Sequence, residues 1–247
     1  MTTRKRREEN RKAFRNMSTS EKIDYIFAYY KLPIFTAVVA FIVLASTAYR
    51  EITRKTVVLY TAYANISVGE DLDSQLTDGY ISYRELDPKK QEVDVYRDLY
   101  LSDDASIENH EYAYACKIKV LGAISARKMD VILMNDEALM QISASGFLKD
   151  LTEIEEADPQ LYASLEPYLC ENTVILEDNS IAYSLGEDET YHAETEEVVN
   201  AVDVTSFPMF RNAGIDGSLY AGIIANTKRP ANSMAFLGYL QADPTGN

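Results

Sequence analysis

Residues 32–49, Leu-Pro-Ile-Phe-Thr-Ala-Val-Val-Ala-Phe-Ile-Val-Leu-Ala-Ser-Thr-Ala-Tyr, carry no charge and are bracketed by Lys31 and Arg50. As a helix rising about 1.5 Å per residue, the run covers about 27 Å, close to the roughly 30 Å of a bilayer's hydrocarbon core. A buried helix of a globular protein would show a polar stripe, and this run has none. Tyr29, Tyr30 and Tyr49 stand where interfacial aromatics belong, and Lys31 can snorkel. Nine Lys/Arg precede the run and three follow it closely, so the positive-inside rule predicts a cytoplasmic N-terminus and an extracellular C-terminal part. The alternative is a cleaved signal peptide, because Ser46-Thr47-Ala48 resembles a small-x-small cleavage site. The long basic lead and the length of the apolar run argue against it. No Leu-x-x-Cys lipobox lies near the run. The reading therefore divides the chain into a basic cytoplasmic segment 1–31, a transmembrane helix 32–49, a linker 50–55 and an extracellular acidic domain 56–247.

Charge supports that division. The formal net charge of −15 hides an asymmetry: residues 1–55 hold 12 Lys/Arg against five acids, and residues 56–247 hold 12 against 34. So acidic a domain is repelled by nucleic acid and by anionic lipid, which predicts no nucleic-acid partner. The Arg4–Arg7 cluster suits the anionic inner leaflet. With 47% hydrophobic residues, the chain can build one good core.

Chemistry-bearing motifs are sparse. The two cysteines, Cys116 and Cys170, could pair outside the cell or sit as two small buried hydrophobes. There is no CxxC, HExxH or multi-cysteine framework and no Gly-rich phosphate loop. His110 and His192 are the only histidines, and both fall in acidic loop sequence, so neither marks a nucleophile–histidine site. The run 187–197 and the group Asp71, Asp73, Asp78-Gly79 lack EF-hand spacing. The expectation is no enzyme, no cofactor and no metal.

Along the outer domain, 56–66 alternates β-branched and aromatic residues and predicts a first strand. Residues 80–85 and 92–101 are weaker strand candidates in a turn-rich stretch. A helix over 111–128 places Ala113, Cys116, Val120, Ala123 and Ile124 on one side. The short apolar run 129–134 predicts a strand buried on both faces and parallel to a neighbour. Asn135 and Asp136 can cap a helix over 137–145, with Gly146 at its C′ position. Asp158-Pro159 opens a helix using Leu161, Leu165 and Leu169. Residues 174–185 read as a hairpin turning at Asp178-Asn179, and 186–197 as an acidic loop. An apolar strand over 218–225 and a final helix from Pro230 using Met234, Phe236, Leu237 and Leu240 complete the chain.

Residues 123–134 resemble the helix, small residue and Asp-Val-strand segment of bacterial extracellular solute-binding proteins. In the same order, Gly146-Phe147-Leu148-Lys149-Asp150-Leu151 resembles that family's Gly-aromatic-Leu-x-x-Leu phrase. Residues 221–240 resemble its strand, its Asn-Thr-Lys-x-Pro turn and its Ala-x-x-Phe-Leu-x-Tyr-Leu helix. The resemblance covers about 60 residues in two patches. It implies a reduced periplasmic-binding-protein-like α/β domain behind a single transmembrane helix, with ligand held at the carboxyl ends of strands. Two departures stand: family members carry two full lobes, and many are lipoproteins or soluble. Under this reading the ligand-binding candidates are Tyr63 and Asn65 after the first strand, and Asn135 and Asp136 after the buried strand. The plainer reading leaves Asn135 and Asp136 as helix caps and Tyr63 as a packed aromatic. The implied function is binding of a small solute, a sugar or similar, beside an ABC-type permease. The alternative is an envelope interaction protein with no small ligand.

Overall fold

A computed structural model describes residues 11, 15, 17–104, 108–176, 193–211 and 213–242, without the side chains of 25–30, 48 and 50–53. The chain divides into two compact units, Met1–Arg54 and Lys55–Asn247.

The first unit is built on α1, Thr19–Thr53. Ser18 is its N-cap, in a reciprocal capping box with Glu21. Pro33 lies inside it. The hydroxyls of Thr36, Ser46 and Thr47 donate to the carbonyls of Leu32, Ile42 and Val43, four residues back. These three hydroxyls are thus satisfied within the helix itself. Among the described residues, no helix is long and apolar enough to cross a membrane; the described side chains of the apolar run end at Thr47 and resume at Tyr49.

The second unit is mixed α/β around one six-stranded sheet. The strands are β1 Thr56–Ala64, β2 Gln91–Leu99, β3 Val131–Met134, β4 Leu169–Ile175, β5 Thr195–Asp203 and β6 Tyr220–Ile223, in the order β2-β1-β3-β6-β5-β4. β1 is parallel to both β2 and β3, whereas β6 is antiparallel to β3 and to β5, and β4 is antiparallel to β5. The helices are α2 Glu70–Ser74, continued through a π-helical turn Gln75–Gly79 into α3 Tyr80–Tyr83, then α4 His110–Ser125, α5 Asp136–Ala144, α6 Glu153–Ala157, α7 Pro159–Leu165 and α8 Pro230–Gln241.

Side chains alternate across the strands and make two cores. On one face, Leu59, Tyr63, Val131 and Leu133 pack with Leu72, Leu76 and Tyr80 of the α2–α3 segment and Phe236 of α8. On the other, Ala62, Ala64, Ile132 and Met134 pack with Cys116, Val120 and Ala123 of α4 and Leu139 and Ile142 of α5. As expected, β3 is buried on both faces and pairs in parallel with β1. The five residues expected to face inward from the 111–128 helix are all buried. Cys116 and Cys170 are both free thiols.

Four expectations are corrected. Of the strand candidate 80–85, Tyr80–Tyr83 is helical and Arg84 and Glu85 form a turn, because Leu72, Leu76 and Tyr80 recur every four residues and fill one face of the sheet. Its aromatic and β-branched residues suggested alternation, and tertiary packing overrides it. The π turn has a visible cause: Tyr239 of α8 donates its hydroxyl to the Gln75 carbonyl at 2.7 Å, entering the helical ladder. Only a glycine leaves room, since a Cβ on Gly79 would lie 2.5 Å from that hydroxyl. Leu169 lies beyond α7 and begins β4, because Glu166–Tyr168 tighten into a 3-10 turn. Val174 and Ile175, read as the first arm of a hairpin over 174–185, are the end of β4. Its partner is β5, which takes in Thr195, Glu196 and Glu197 from the expected acidic loop. Those three are exposed, which disguised a strand whose other end is buried. The turn at Asp178-Asn179, the run 186–192 and His192 lie outside the described residues.

Candidate functional site

Chain direction locates the site. The segment leaving β1 (Thr56–Ala64) passes to the α2–α3 face. The segment leaving β3 (Val131–Met134) enters α5 on the opposite face. Adjacent parallel strands whose exits diverge in this way form a topological switch point, where open α/β sheets leave a crevice. A hollow of about 370 Å³ lies there, lined by Asn65 and Ser67 after β1, Asp98 and Tyr100 at the end of β2, Tyr112 of α4, and Asn135 and Glu137 at the start of α5.

Of the four sequence-derived candidates, this hollow unites Asn65 and Asn135. Asn65 is left-handed, with φ of 56°, a conformation asparagine tolerates better than most residues. Its Nδ2 donates to the Leu101 carbonyl at 2.7 Å and to Glu137 Oε2 at 3.3 Å, and its Oδ1 accepts from the Leu101 N–H at 2.6 Å. The side chain therefore ties the segment after β2 to the end of β1. Asp98, on the facing wall, is also left-handed at φ 57°, and its carbonyl accepts from the Tyr112 hydroxyl at 2.5 Å. Asn135 caps α5, its Oδ1 accepting from the Ala138 N–H at 3.0 Å, as the plainer reading had it.

The other two candidates lie elsewhere. Tyr63 is buried in the core, and burial, reinforced by nearby Asp73, pushes its phenol well above the ordinary range. It is a packed aromatic and lines no described hollow. Asp136 faces a second, larger hollow of about 540 Å³ between α5 and β4. There it accepts a hydrogen bond of 2.8 Å from the Tyr220 hydroxyl.

Comparison with family models, with curated proteins and with solved structures gives no match.

Sequence reasoning missed Glu137, Asp98, Tyr100 and Tyr112. Glu137 had a usable signal, because it falls in the first turn of the helix that Asn135 caps. Asp98, Tyr100 and Tyr112 had none, since only the parallel register of β2 on β1 brings the end of β2 beside Asn65. Lining side chains include two carboxylates and no Lys or Arg, which disfavours anions. Among the described residues, no group of three His, Cys, Asp or Glu is placed to hold a metal ion. Asp73, one of the acids weighed as a cation ligand, instead binds Arg97 in a bidentate pair at 3.0 and 2.7 Å. His110 opens α4 and is exposed.

The two patches that carry the family resemblance meet at the opposite end of β3. Asp130, fully buried, accepts from the Tyr60 N–H at 2.8 Å, the Thr227 hydroxyl at 2.5 Å and Arg229 Nη1 at 3.2 Å. The Arg229 guanidinium lies over the Tyr60 ring, 4.6 Å from its centroid. Asn226 Nδ2 donates to the Ile124 carbonyl at 3.0 Å. Every group in this clasp is spent on another part of the scaffold.

Proposed function

We propose that this chain is a membrane-tethered, non-enzymatic extracellular domain, a reduced relative of solute-binding proteins. It holds a small uncharged or cationic solute beyond β1 and β3 as a component of a transport system. The observation that carries the reading is the switch-point hollow, with polar side chains converging from three strand ends and a helix start. Its volume falls within the ordinary range of small-molecule pockets, about 300–1,000 Å³. Tethering is supported by the charge-free run between Lys31 and Arg50, whose Thr36, Ser46 and Thr47 hydroxyls bond within α1. An anchored binder raises the local concentration of its solute at a neighbouring permease.

A second reading, an envelope interaction protein without a small ligand, has one observation in its favour. The described residues build one sheet and no opposing lobe, and Asn65 and Asn135 are engaged in internal bonds. An open hollow of that kind suits the edge of a partner protein.

Thermal unfolding of the full-length chain with sugars, polyols and amines tests the first reading. A bound solute at a hundredfold excess over its Kd stabilises by about 2.7 kcal/mol, and Glu137→Gln should diminish that shift. No shift with any solute, together with a co-purifying envelope protein, would favour the second reading. Topology is tested separately by an impermeant maleimide on intact cells. In a Cys116→Ala/Cys170→Ser background, which removes the two native thiols, cysteine introduced at Asp87 should label and cysteine at Glu8 should not; the reverse pattern overturns the tethered arrangement.

A further inference from the structure

The larger hollow is unlike the first. It runs between α5 and β4, with Leu139 and Met140 on the helix side, Glu171 on β4, Glu197 on β5, and Asp136 and Tyr220 at one end. Two of its three carboxylates are positioned by hydroxyl donors, Tyr220 to Asp136 at 2.8 Å and Thr173 to Glu197 at 2.7 Å. No Lys or Arg lines it, and among the described residues none of the three acids forms an ion pair.

The strand beside it is the last of the sheet. β4 has β5 on one side and, among the described residues, no strand on the other; α5 packs beside it, and the Ser143 hydroxyl donates to the Thr173 carbonyl at 3.4 Å. Natural proteins blunt such edges with lysine or proline, and Leu169-Cys170-Glu171-Asn172-Thr173-Val174-Ile175 contains neither. The one irregularity in its pairing falls between Cys170 and Glu171, so 171–175 is regular strand. Its end exposes Ile175 and Leu176.

We propose that β4 and the acidic groove beside it form a docking surface for an extended, basic polypeptide segment of a partner protein. The segment adds to the sheet through backbone hydrogen bonds to β4 and places alternate Lys or Arg side chains against Asp136, Glu171 and Glu197. Two features converge on this occupant. A strand edge with no strand partner among the described residues recognises a backbone and is indifferent to side chains, and three uncompensated carboxylates beside an apolar wall select long cationic side chains with apolar stems. The proposal does not rest on the solute-binding reading, which concerns the other hollow.

The test uses the full-length chain in a non-ionic detergent and a fluorescein-labelled octapeptide of alternating lysine and valine, read by anisotropy. Saturable binding is expected. The variant Asp136→Asn/Glu171→Gln/Glu197→Gln should weaken it about tenfold. A charge-matched control on α6 and on the 3-10 turn after α7, Glu155→Gln/Glu156→Gln/Glu166→Gln, should change it less than about twofold. Exposed Glu171→Gln alone should give part of the loss without touching the core. The same peptide with alternate backbone amides N-methylated should bind much more weakly. The proposal is overturned by absence of saturable binding, by equal losses in both triple variants, by undiminished binding of the methylated peptide, or by spermidine competing as well as the unlabelled peptide.

Discussion

The two ends of β3 are separated by four residues and have opposite chemistry. At the amino end, the buried Asp130 carboxylate is matched by a guanidinium, a hydroxyl and a backbone N–H. At the carboxyl end, Asp136 and Glu137 are acids without a cation in the hollows they line. The first arrangement closes on itself and has nothing left for a ligand. The second leaves charge facing solvent, at the place where the topology opens the sheet. The sequence patches that resemble solute-binding proteins converge on the closed end. What they specify directly is therefore a scaffold clasp, and the binding chemistry must be argued from the open end.

That contrast can be broken by mutation. The largest effect is expected at the clasp. Asp130→Ala leaves Arg229 without its buried partner and should cost about 3–5 kcal/mol in denaturant unfolding; a loss below about 1 kcal/mol would mean that the clasp is not a structural centre. On the helical layer, Gly79→Ala forces a methyl against the Tyr239 hydroxyl and should cost about 1–3 kcal/mol. Adding Tyr239→Phe should recover part of that loss if the hydroxyl wedge sets the π turn, and a double-mutant cycle measures it.

The tyrosines of this layer also predict a pH response. Burial pushes Tyr80 and Tyr239 up to about 12, so the folded state favours the neutral phenol. Their contribution is fully present below the ordinary tyrosine range near 10 and is lost as pH rises from about 10 through about 12, on the order of 2 kcal/mol for each. Far-UV circular dichroism across that window should show loss of helix, shifted by Tyr239→Phe. At the open end effects should be smaller. Asn135→Ala removes the cap of α5 and should cost about 1 kcal/mol, whereas Glu137→Gln should stay within about 0.5 kcal/mol of the parent. If Glu137→Gln cost as much as Asp130→Ala, the distinction between a closed and an open end would fail.

Much of the scaffold was legible because the relevant signals are local. Ala113, Cys116, Val120, Ala123 and Ile124 share a face by spacing alone, and Asn135 and Gly146 bracket α5 as a cap and a left-handed residue. What could not be read depends on distant partners. The helix over 75–83 takes its shape from Tyr239, more than 150 residues further on. β5 begins with three exposed residues and looks like a loop until β4 is laid beside it. Asn65 and Asn135 were found at strand ends, but their companions Asp98, Tyr100 and Tyr112 come from a register that no sequence pattern states. Tyr63, chosen for its position after a strand, points into the core because of the two-residue alternation of β1.

β6 joins what would otherwise be two pieces. β2, β1 and β3 form a parallel trio, β4 and β5 form an antiparallel pair, and among the described residues the only strand touching both is Tyr220–Ile223. Its fit is close, since a Cβ on Gly222 would come within 2.8 Å of a Leu148 methyl. During synthesis this keystone emerges some 85 residues after β3, its neighbour in the sheet, so until then the growing chain carries two unfinished sheet edges. Completion of the fold is a late, long-range event, and a ribosome stalled before residue 220 would display a polypeptide unable to close its own core.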